Sequence, residues 1–279
     1  MKRIKKKKNS VWGVISLIIV LGLTIFFLFP FYWIITGSFK DQFAVIAIPP
    51  EWFPKNPTLI NYKTLFNMDN AFRWIFNSFF TATMTMLIGC TIATMAGYAL
   101  GKKKFPGRTI IFSLFIAAMC LPREAIMIPL ATLLTEMNWI DRYISLILPA
   151  LGRPFGVFMM KQFSQTLPNE ILESAKIDGC SEWRTFVSIA VPILKPGIGA
   201  MAIFTFITSW NDYISQLFFL RSPEMQTLPL GLATMQSEYT TNYGLLMAGA
   251  AVASLPMIII FMLFQKYFTQ GITMGAVKG

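Results

Sequence analysis

Long apolar runs separated by short polar segments dominate the chain. Six runs are long enough to cross a bilayer core as helices, because such a helix needs about 20 mainly apolar residues. They lie at about 11–36, 74–100, 109–131, 143–163, 198–220 and 244–266. The first run is longer than the apolar region of a signal peptide and has no small-residue cleavage site. The pattern predicts an all-α integral membrane protein with six transmembrane helices.

The composition and the basic residues agree with this prediction and orient the chain. Hydrophobic residues make up 55% of the chain and charged residues 13%, about half the usual globular share. Lys and Arg concentrate in segments that would share one side of the membrane, and positive segments face the cytoplasm. We therefore expect a cytoplasmic basic tail at 1–10, a transmembrane domain at 11–266 with a cytoplasmic loop at about 164–197, and a cytoplasmic C-terminal tail at 267–279.

Residue types that catalysis and metal binding need are missing or isolated. The chain contains no His, and Cys90, Cys120 and Cys180 show neither a pairing pattern nor metal-ligand spacing. The segment "GYALGKKK" at 97–104 has too few residues between its glycines for a phosphate-binding loop, and Lys103 stands where Ser or Thr would bind magnesium. We expect no enzymatic activity, no metal and no bound cofactor in this chain.

The predicted cytoplasmic loop contains "ESAKIDGCSEWRTFVSIAVPILKPG" at 173–197. Gly179 is suited to the end of one helix, and a second helix can start at Ser181. In the second helix an apolar stripe is expected from Trp183, Phe186, Val187 and Ala190. Pro192 and Pro196 are expected to break the chain before the fifth span. By these patterns alone the loop either lies on the lipid surface or docks a cytoplasmic partner.

The spacing within this loop resembles the EAA loop of ABC importer permeases. Glu173-Ser174-Ala175, Gly179, Ile189 and Val191-Pro192 keep every spacing of that loop, with Ser174 in place of Ala and Val191 in place of Leu. The segments "IDGCS", "VPILKPG", "LPREAIMIPL", "SWNDYISQLFFL" and "QKYFTQGITMGAVKG" resemble the permeases of maltose-type sugar importers. The resemblance covers spans three to six and the C-terminal tail.

This resemblance implies the fold of a type I ABC importer permease and a set of partners. The chain would form half of a heterodimeric pathway with a second permease subunit in a bacterial or archaeal cytoplasmic membrane. Two copies of an ABC ATPase would use ATP and Mg, an extracytoplasmic solute-binding protein would deliver a sugar, and no nucleic acid would be involved. Membrane lipid would surround the spans.

The resemblance also implies site residues. The ATPase-coupling residues would be Glu173, Ser174, Ala175, Asp178, Gly179, Ile189 and Pro192, with Glu173 as an anchor and with Ala175 and Gly179 required to stay small. In the last outer loop, at 221–244, contacts with the binding protein would come from Gln226, Gln236 and Glu238. That loop is equally compatible with an ordinary solvated loop.

Ionisable residues inside predicted spans are candidates for function, and here they are Arg123, Glu124, Arg153 and Asp212. One interpretation is a set of buried ion pairs, for example Glu124 with an Arg. A second is a pathway in which Asn211, Asp212 and an Arg bind sugar hydroxyls and Trp210 stacks on a sugar ring, with Arg153 and Glu124 among its candidate residues. A third is contact with the partner permease.

The alternative functions are a self-sufficient ion-coupled transporter, for which Glu124 and Asp212 are the available carboxylates, and an ABC permease for a solute other than a sugar. The substrate stays open at this stage.

Overall fold

The computed structural model describes residues 11–235 and 242–276, with side chains up to Tyr267. Residues 1–10, 236–241 and 277–279 lie outside the described residues, and they include the predicted basic tail and the predicted contact residues Gln236 and Glu238. Of the C-terminal tail expected at 267–279, residues 267–276 continue the last helix. Within the described ranges the chain is almost wholly helical and contains no β-strand, which confirms the all-α fold. The elements are α1 Val11–Ser38, α2 Gln42–Val45, α3 Ile60–Phe66, α4 Ala71–Lys102, α5 Arg108–Met119, α6 Arg123–Glu136, α7 Tyr143–Leu151, α8 Pro154–Gln165, α9 Asn169–Ile177, α10 Glu182–Thr185, a π-helical turn Phe186–Ala190, α11 Val191–Trp210, α12 Tyr213–Phe219, a 3₁₀ turn Pro223–Met225, α13 Leu228–Thr234 and α14 Tyr243–Ala276.

Four continuous helices in the described residues are long and apolar enough to cross a membrane. They are α1, α4, the helix that runs through Glu182–Trp210, and α14 over Tyr243–Tyr267. Two bent helix pairs have the same apolar character: α5 with α6, bent by 102°, and α7 with α8, bent by 42°. The chain thus has four candidate spans, or six if each bent pair makes one span.

The chain divides into two compact units, of which the first comprises residues 1–68 and 235–252. In this unit the segment after α1 is fastened by Asn61, whose amide donates to the carbonyls of Ser38 at 2.9 Å and Lys40 at 2.7 Å. The hydroxyls of Ser38 and Tyr62 hydrogen-bond at 2.8 Å. These bonds fold the Pro- and aromatic-rich segment that follows α1 back onto the end of α1.

The second unit comprises residues 69–234 and 253–279, and α4 lies at its centre. Two glycines of α4 allow α8 to approach closely. A Cβ on Gly97 would lie 2.6 Å from the backbone nitrogen of Lys161, and one on Gly101 would lie 2.8 Å from Cβ of Ser164. The small-residue spacing of Gly97 and Gly101 therefore marks a helix–helix contact.

Three predicted spans, 109–131, 143–163 and 198–220, are each interrupted in the structure. The breaks fall at residues 120–122, 152–153 and 211–212. Two of them involve a proline, Pro122 and Pro154, and a residue that precedes proline is disfavoured in the α conformation. Polar residues do stand at these breaks, Arg123 after the first, Arg153 in the second and Asn211-Asp212 in the third, but each interrupts the apolar run too briefly for the run length to predict a break.

The prolines at 192 and 196 do not break the chain as expected. A continuous helix runs through Glu182–Trp210. The N–H of Val191 donates to the carbonyl of Phe186, five residues back, so the π turn changes the hydrogen-bond register just before Pro192. Pro192 then falls in the first turn of α11, where proline is tolerated. Pro196 lies inside α11, and membrane helices tolerate such prolines where neighbouring helices pack around them.

Candidate functional sites

Each of the three helix breaks in the second unit contributes one charged residue to a single cluster. Arg123 is the first residue of α6, Arg153 precedes α8 and Asp212 precedes α12. Oδ2 of Asp212 accepts hydrogen bonds from Nη2 of Arg123 and, at 2.8 Å, from Nη2 of Arg153. Oδ1 of Asp212 accepts from the backbone N–H of Ser215 at 3.2 Å and so caps α12. One carboxylate therefore binds two guanidinium groups and one helix end.

This cluster lies at the wall of a cavity of about 430 Å³ within the second unit. The polar lining includes Arg123, Arg153, Asp212, Ser215, Thr205 and Thr208. Phe155 and Phe204 form an aromatic part of the lining, with ring centroids 4.7 Å apart. A mainly apolar cavity of this size with a few convergent polar groups is typical of small-molecule sites.

Of the ionisable residues singled out from the sequence, the structure brings together Arg123, Arg153 and Asp212 but not Glu124. Glu124 is exposed, does not line the cavity, and has no ion pair among the described residues. The suggested pairing of Glu124 with an Arg is therefore wrong, because both nearby arginines bind Asp212. The carboxylate on α6 points away from the cluster, although it follows Arg123 directly in sequence.

Trp210 and Asn211 do not line the cavity either. The side chain of Trp210 is 1% exposed and stacks on Phe206, with ring centroids 5.8 Å apart and an interplanar angle of 18°. A ring covered to this extent has no face left for a sugar, so the structure places Trp210 in the core. Asn211 is exposed and its amide donates to Sδ of Met257 at 3.3 Å.

Sequence reasoning singled out Arg123 as an ionisable residue within a span but gave it no role of its own, and it gave none to Phe155, Phe204 or Thr208. A further local signal was available for Arg123, because Pro122-Arg123 and Arg153-Pro154 both place an arginine next to a proline in an apolar run. No local signal identifies the two phenylalanines among the 26 in the chain.

The second candidate site is the helical loop between α8 and α11. Helix α9 ends in two hydrogen bonds: Gly179 N–H to the Lys176 carbonyl at 3.1 Å, and Cys180 N–H to the Ala175 carbonyl at 3.0 Å. These bonds form a Schellman motif, with Gly179 at φ +78°. Helix α10 begins at Glu182 and is capped by Ser181, whose hydroxyl accepts from the Arg184 N–H at 3.3 Å.

The predicted coupling residues divide by exposure. Glu173, Ser174, Asp178, Gly179 and Pro192 are exposed, and Ile189 is half-buried. Ala175 is 4% exposed and faces the interior of this chain. Its small size is therefore required by packing within the second unit, which corrects the expectation that Ala175 belongs to the outward surface.

The expected apolar stripe on the second helix is also divided. Phe186 and Ala190 are buried, and Phe186 packs against Tyr98 with ring centroids 5.1 Å apart. Trp183, at 62% exposure, and Val187 lie outside the core. Trp183 and Val187 are one helical turn apart and so lie on one face of the helix, and Ile177, on α9, is 86% exposed. Single exposed apolar residues are common, but two on one helix face favour an interaction surface.

Two adjacent lysines at the end of α4 hold this loop. Nζ of Lys102 donates to the Leu167 carbonyl and, at 2.8 Å, to Oδ1 of Asn169, at the start of α9. Nζ of Lys103 pairs with the carboxylate of Glu182, the first residue of α10. This hydrogen bond lowers the pKa of Glu182. Partial burial opposes the charge of Lys103, but the pairing outweighs burial and raises the pKa of Lys103.

The loop that begins at residue 221 is anchored at its base. Oδ1 of Asp141 accepts hydrogen bonds from the backbone N–H groups of Arg221 at 2.9 Å and Ser222 at 3.1 Å. Nδ2 of Asn77 donates to the carbonyl of Gln226 at 2.8 Å. The predicted contact residue Gln226 is half-buried, and its backbone takes part in this anchor.

The second unit combines apolar helices, broken spans, a cavity with charged lining residues and a helical loop. These are features of a polytopic membrane transport protein of the permease class. Residues 89–274 match the family described as binding-protein-dependent transport system inner membrane component, and the chain belongs to that family. This confirms the resemblance found in the sequence.

Relatives over nearly the whole chain agree with this assignment. The chain is 39% identical to the arabinooligosaccharides transport system permease protein AraQ of Bacillus subtilis (strain 168), over 97% of each chain. It is 30% identical to the diacetylchitobiose uptake system permease protein DasC of Streptomyces coelicolor, over 97% of this chain and 98% of that one. A chain of the crystal structure of a bacterial ABC transporter involved in the import of the acidic polysaccharide alginate has the same fold, with a TM-score of 0.83 at 17% identity, over 96% of this chain and 100% of that one.

Proposed function

We propose that this chain is a membrane-spanning permease subunit of an ATP-driven importer for saccharides. The observation that carries the proposal is the family match together with the EAA spacing, which falls on an exposed helix pair with a Schellman turn at Gly179. The relatives named above serve saccharide transport systems, and this supports the substrate class. Which saccharide is taken up is a matter for measurement.

In this function α9 and α10 dock a cytoplasmic ATPase. Glu173 and Ser174 are exposed on α9, and the exposed apolar side chains of Ile177, Trp183 and Val187 add buried area on docking. Lys102 and Lys103 fasten the same two helices to α4, so a displacement of the loop is passed to α4 as well as to α11. ATP and Mg are used by the ATPase, and this chain binds neither.

The partners follow from the same function. A second permease subunit completes the pathway, two ATPase copies drive it, and an extracytoplasmic solute-binding protein delivers the saccharide. Both termini and the α9–α10 loop lie in the cytoplasm of a bacterium or archaeon. The outer loop from Gln226 through Glu238 contacts the binding protein. The cavity bordered by Arg153 and Asp212 forms part of the pathway.

An ion-coupled transporter is the weaker alternative. Among the described residues, Asp212 is the one carboxylate that lines the cavity, and it is bound to two arginines. A carboxylate engaged in this way is poorly placed to bind and release a coupling ion.

Reconstitution into proteoliposomes tests the proposed function. We expect ATP-dependent uptake of a radiolabelled oligosaccharide when the chain is combined with a second permease, the ATPase and the binding protein encoded beside it. The chain alone is expected to show neither ATP hydrolysis nor uptake. Uptake by the chain alone, driven by an ion gradient, would contradict the proposal.

A further inference from the structure

The cavity within the second unit is one carboxylate short of charge balance. Among the described residues that line it, the ionisable groups are Arg123, Arg153 and Asp212. Two guanidinium groups thus share a single carboxylate in a segment expected to lie within the membrane. An uncompensated charge there is costly, and such groups mark substrate or ion pathways.

Arg123 has the geometry to accept a second anion. Its hydrogen bonds to Asp212 and Ser215 both use Nη2, and 41% of its side chain stays exposed. Among the described residues, none accepts a hydrogen bond from its other guanidinium nitrogens. A guanidinium presents five donors in a planar fork that matches a carboxylate, so one edge of Arg123 is free to bind one.

The helix breaks add to the positive potential. The N-termini of α6, with 14 residues, and α8, with 12 residues, both border the cavity, because Arg123 and Pro154 line it. Helix N-termini favour anions, and broken helices of transporters use them to hold anionic substrate groups. The cavity therefore combines a free guanidinium edge, an unbalanced positive charge and two helix N-termini.

Phe155 and Phe204 give the cavity an apolar part beside the charged one. Their rings, with centroids 4.7 Å apart, supply an apolar surface on which the C–H face of a sugar ring can pack. We infer that this cavity is a subsite for a saccharide unit that carries a carboxylate, with Arg123 binding the carboxylate and Phe155 and Phe204 contacting the ring. This inference rests on the proposed transport of saccharides and makes its substrate class more specific.

The test compares D-galacturonate with D-galactose, which differ at C6, where a carboxylate replaces a hydroxymethyl group. Binding to the full chain in lipid nanodiscs is titrated by saturation-transfer difference NMR, which detects weak ligands. Because hydrogen bonds to charged groups are stronger than neutral ones, we expect the Kd of galacturonate to be lower by about tenfold or more. Equal Kd values would overturn the inference, and this comparison needs no variant.

Three variants test which residue causes the preference for galacturonate over galactose. Arg123→Gln is expected to abolish it, so that galacturonate and galactose then bind with similar Kd values. Asp212→Asn keeps the helix cap, releases the guanidinium groups and is expected to strengthen galacturonate binding. Arg142→Gln changes an exposed arginine that does not line the cavity and should leave the preference intact. A preference that survives Arg123→Gln in a folded chain would contradict the assignment.

The assembled importer separates this inference from the proposed function. If a partner subunit supplies the missing carboxylate, the preference will vanish on assembly, which would overturn the inference. Uptake of neutral saccharides without any carboxylate preference would refute the inference alone. A carboxylate preference without ATP-dependent uptake would refute the proposed function.

Discussion

At Ala175 and Gly179 the small side chain is required for two different reasons. Ala175 packs inside the second unit, so a larger side chain there must displace its own chain. At Gly179 no atom of the described residues lies within 4 Å of the position that a Cβ would take, but φ is +78°. The constraint at Gly179 is therefore the left-handed backbone of the Schellman motif. Neither reason involves a partner.

Adjacent substitutions on α9 separate folding from docking. Ala175→Leu is expected to lower stability by about 1–3 kcal/mol, because it overpacks a filled site. Ser174→Leu, at an exposed position, should leave the Tm near that of the parent chain and impair uptake only in the assembled importer. Thermal unfolding of the purified chain in detergent measures the difference. An equal loss of Tm in both variants would contradict the burial of Ala175.

At the scale of elements, α4 organises the second unit through close contacts along its length. Gly97 and Gly101 bring the backbone of α8 against α4, and Lys102 and Lys103 hold the α9 and α10 helices at its end. A tightly packed helix that also holds the α9–α10 loop is placed to move with that loop. The close contact with α8 and the contacts of the two lysines with α9 and α10 belong to the same helix. Each can be tested by its own substitutions.

Alanine substitutions on α4 report the helix contact. Alanine favours a helix over glycine by about 1 kcal/mol, but a Cβ at Gly97 meets backbone atoms of Met160 and Lys161 at 2.6 Å. Gly97→Ala is therefore expected to lower the Tm. Gly89→Ala is the matched control, because its nearest atoms lie at an ordinary 3.8 Å. A Tm for Gly97→Ala equal to that of Gly89→Ala would show that α4 and α8 are not in contact there.

Charge reversal tests the link between α4 and α10. Lys103→Glu should lower the Tm slightly, which corresponds to a loss of stability of about 1 kcal/mol or less because the pair is exposed. Lys103→Glu with Glu182→Lys should restore the Tm.

The ion pair should also make stability depend on pH. Because the pKa of Glu182 is lowered, the contribution of Glu182 to stability is lost as pH falls through that pKa. The raised pKa of Lys103 means that its contribution is lost as pH rises through that value. The loss of Tm caused by Lys103→Glu should thus be constant near neutral pH and smaller in high salt. Lack of rescue in the double variant would exclude the pair.

At the scale of the whole molecule, family membership rests on nearly the full length of the chain. The relatives and the alginate transporter chain align over 96% or more of it, so both units belong to the shared fold. The net charge of +11 is distributed unevenly between the segments that connect the spans. This distribution predicts which side of the membrane each connecting segment faces. The geometry of the helices alone does not show that orientation.

Cysteine labelling measures that orientation. In a chain with Cys90→Ser and Cys120→Ser, native Cys180 is expected to react with a membrane-impermeant maleimide only after permeabilisation. Adding Asp69→Cys, in an exposed turn between α3 and α4, should give labelling of intact spheroplasts. Labelling of Cys180 from outside would reverse the proposed topology.

The amino-acid sequence by itself determined that the chain is a helical membrane protein and that one loop carries the EAA spacing. Both are local properties, because apolar run length and residue spacing are visible within a single segment. The outcome at the charged residues was different. Arg123 and Asp212 are 89 residues apart, and only the meeting of three helix breaks decided that they pair and that Glu124 does not. The burial of Ala175 and Trp210 was likewise decided by packing between distant segments, since which face of a helix is covered depends on its neighbours.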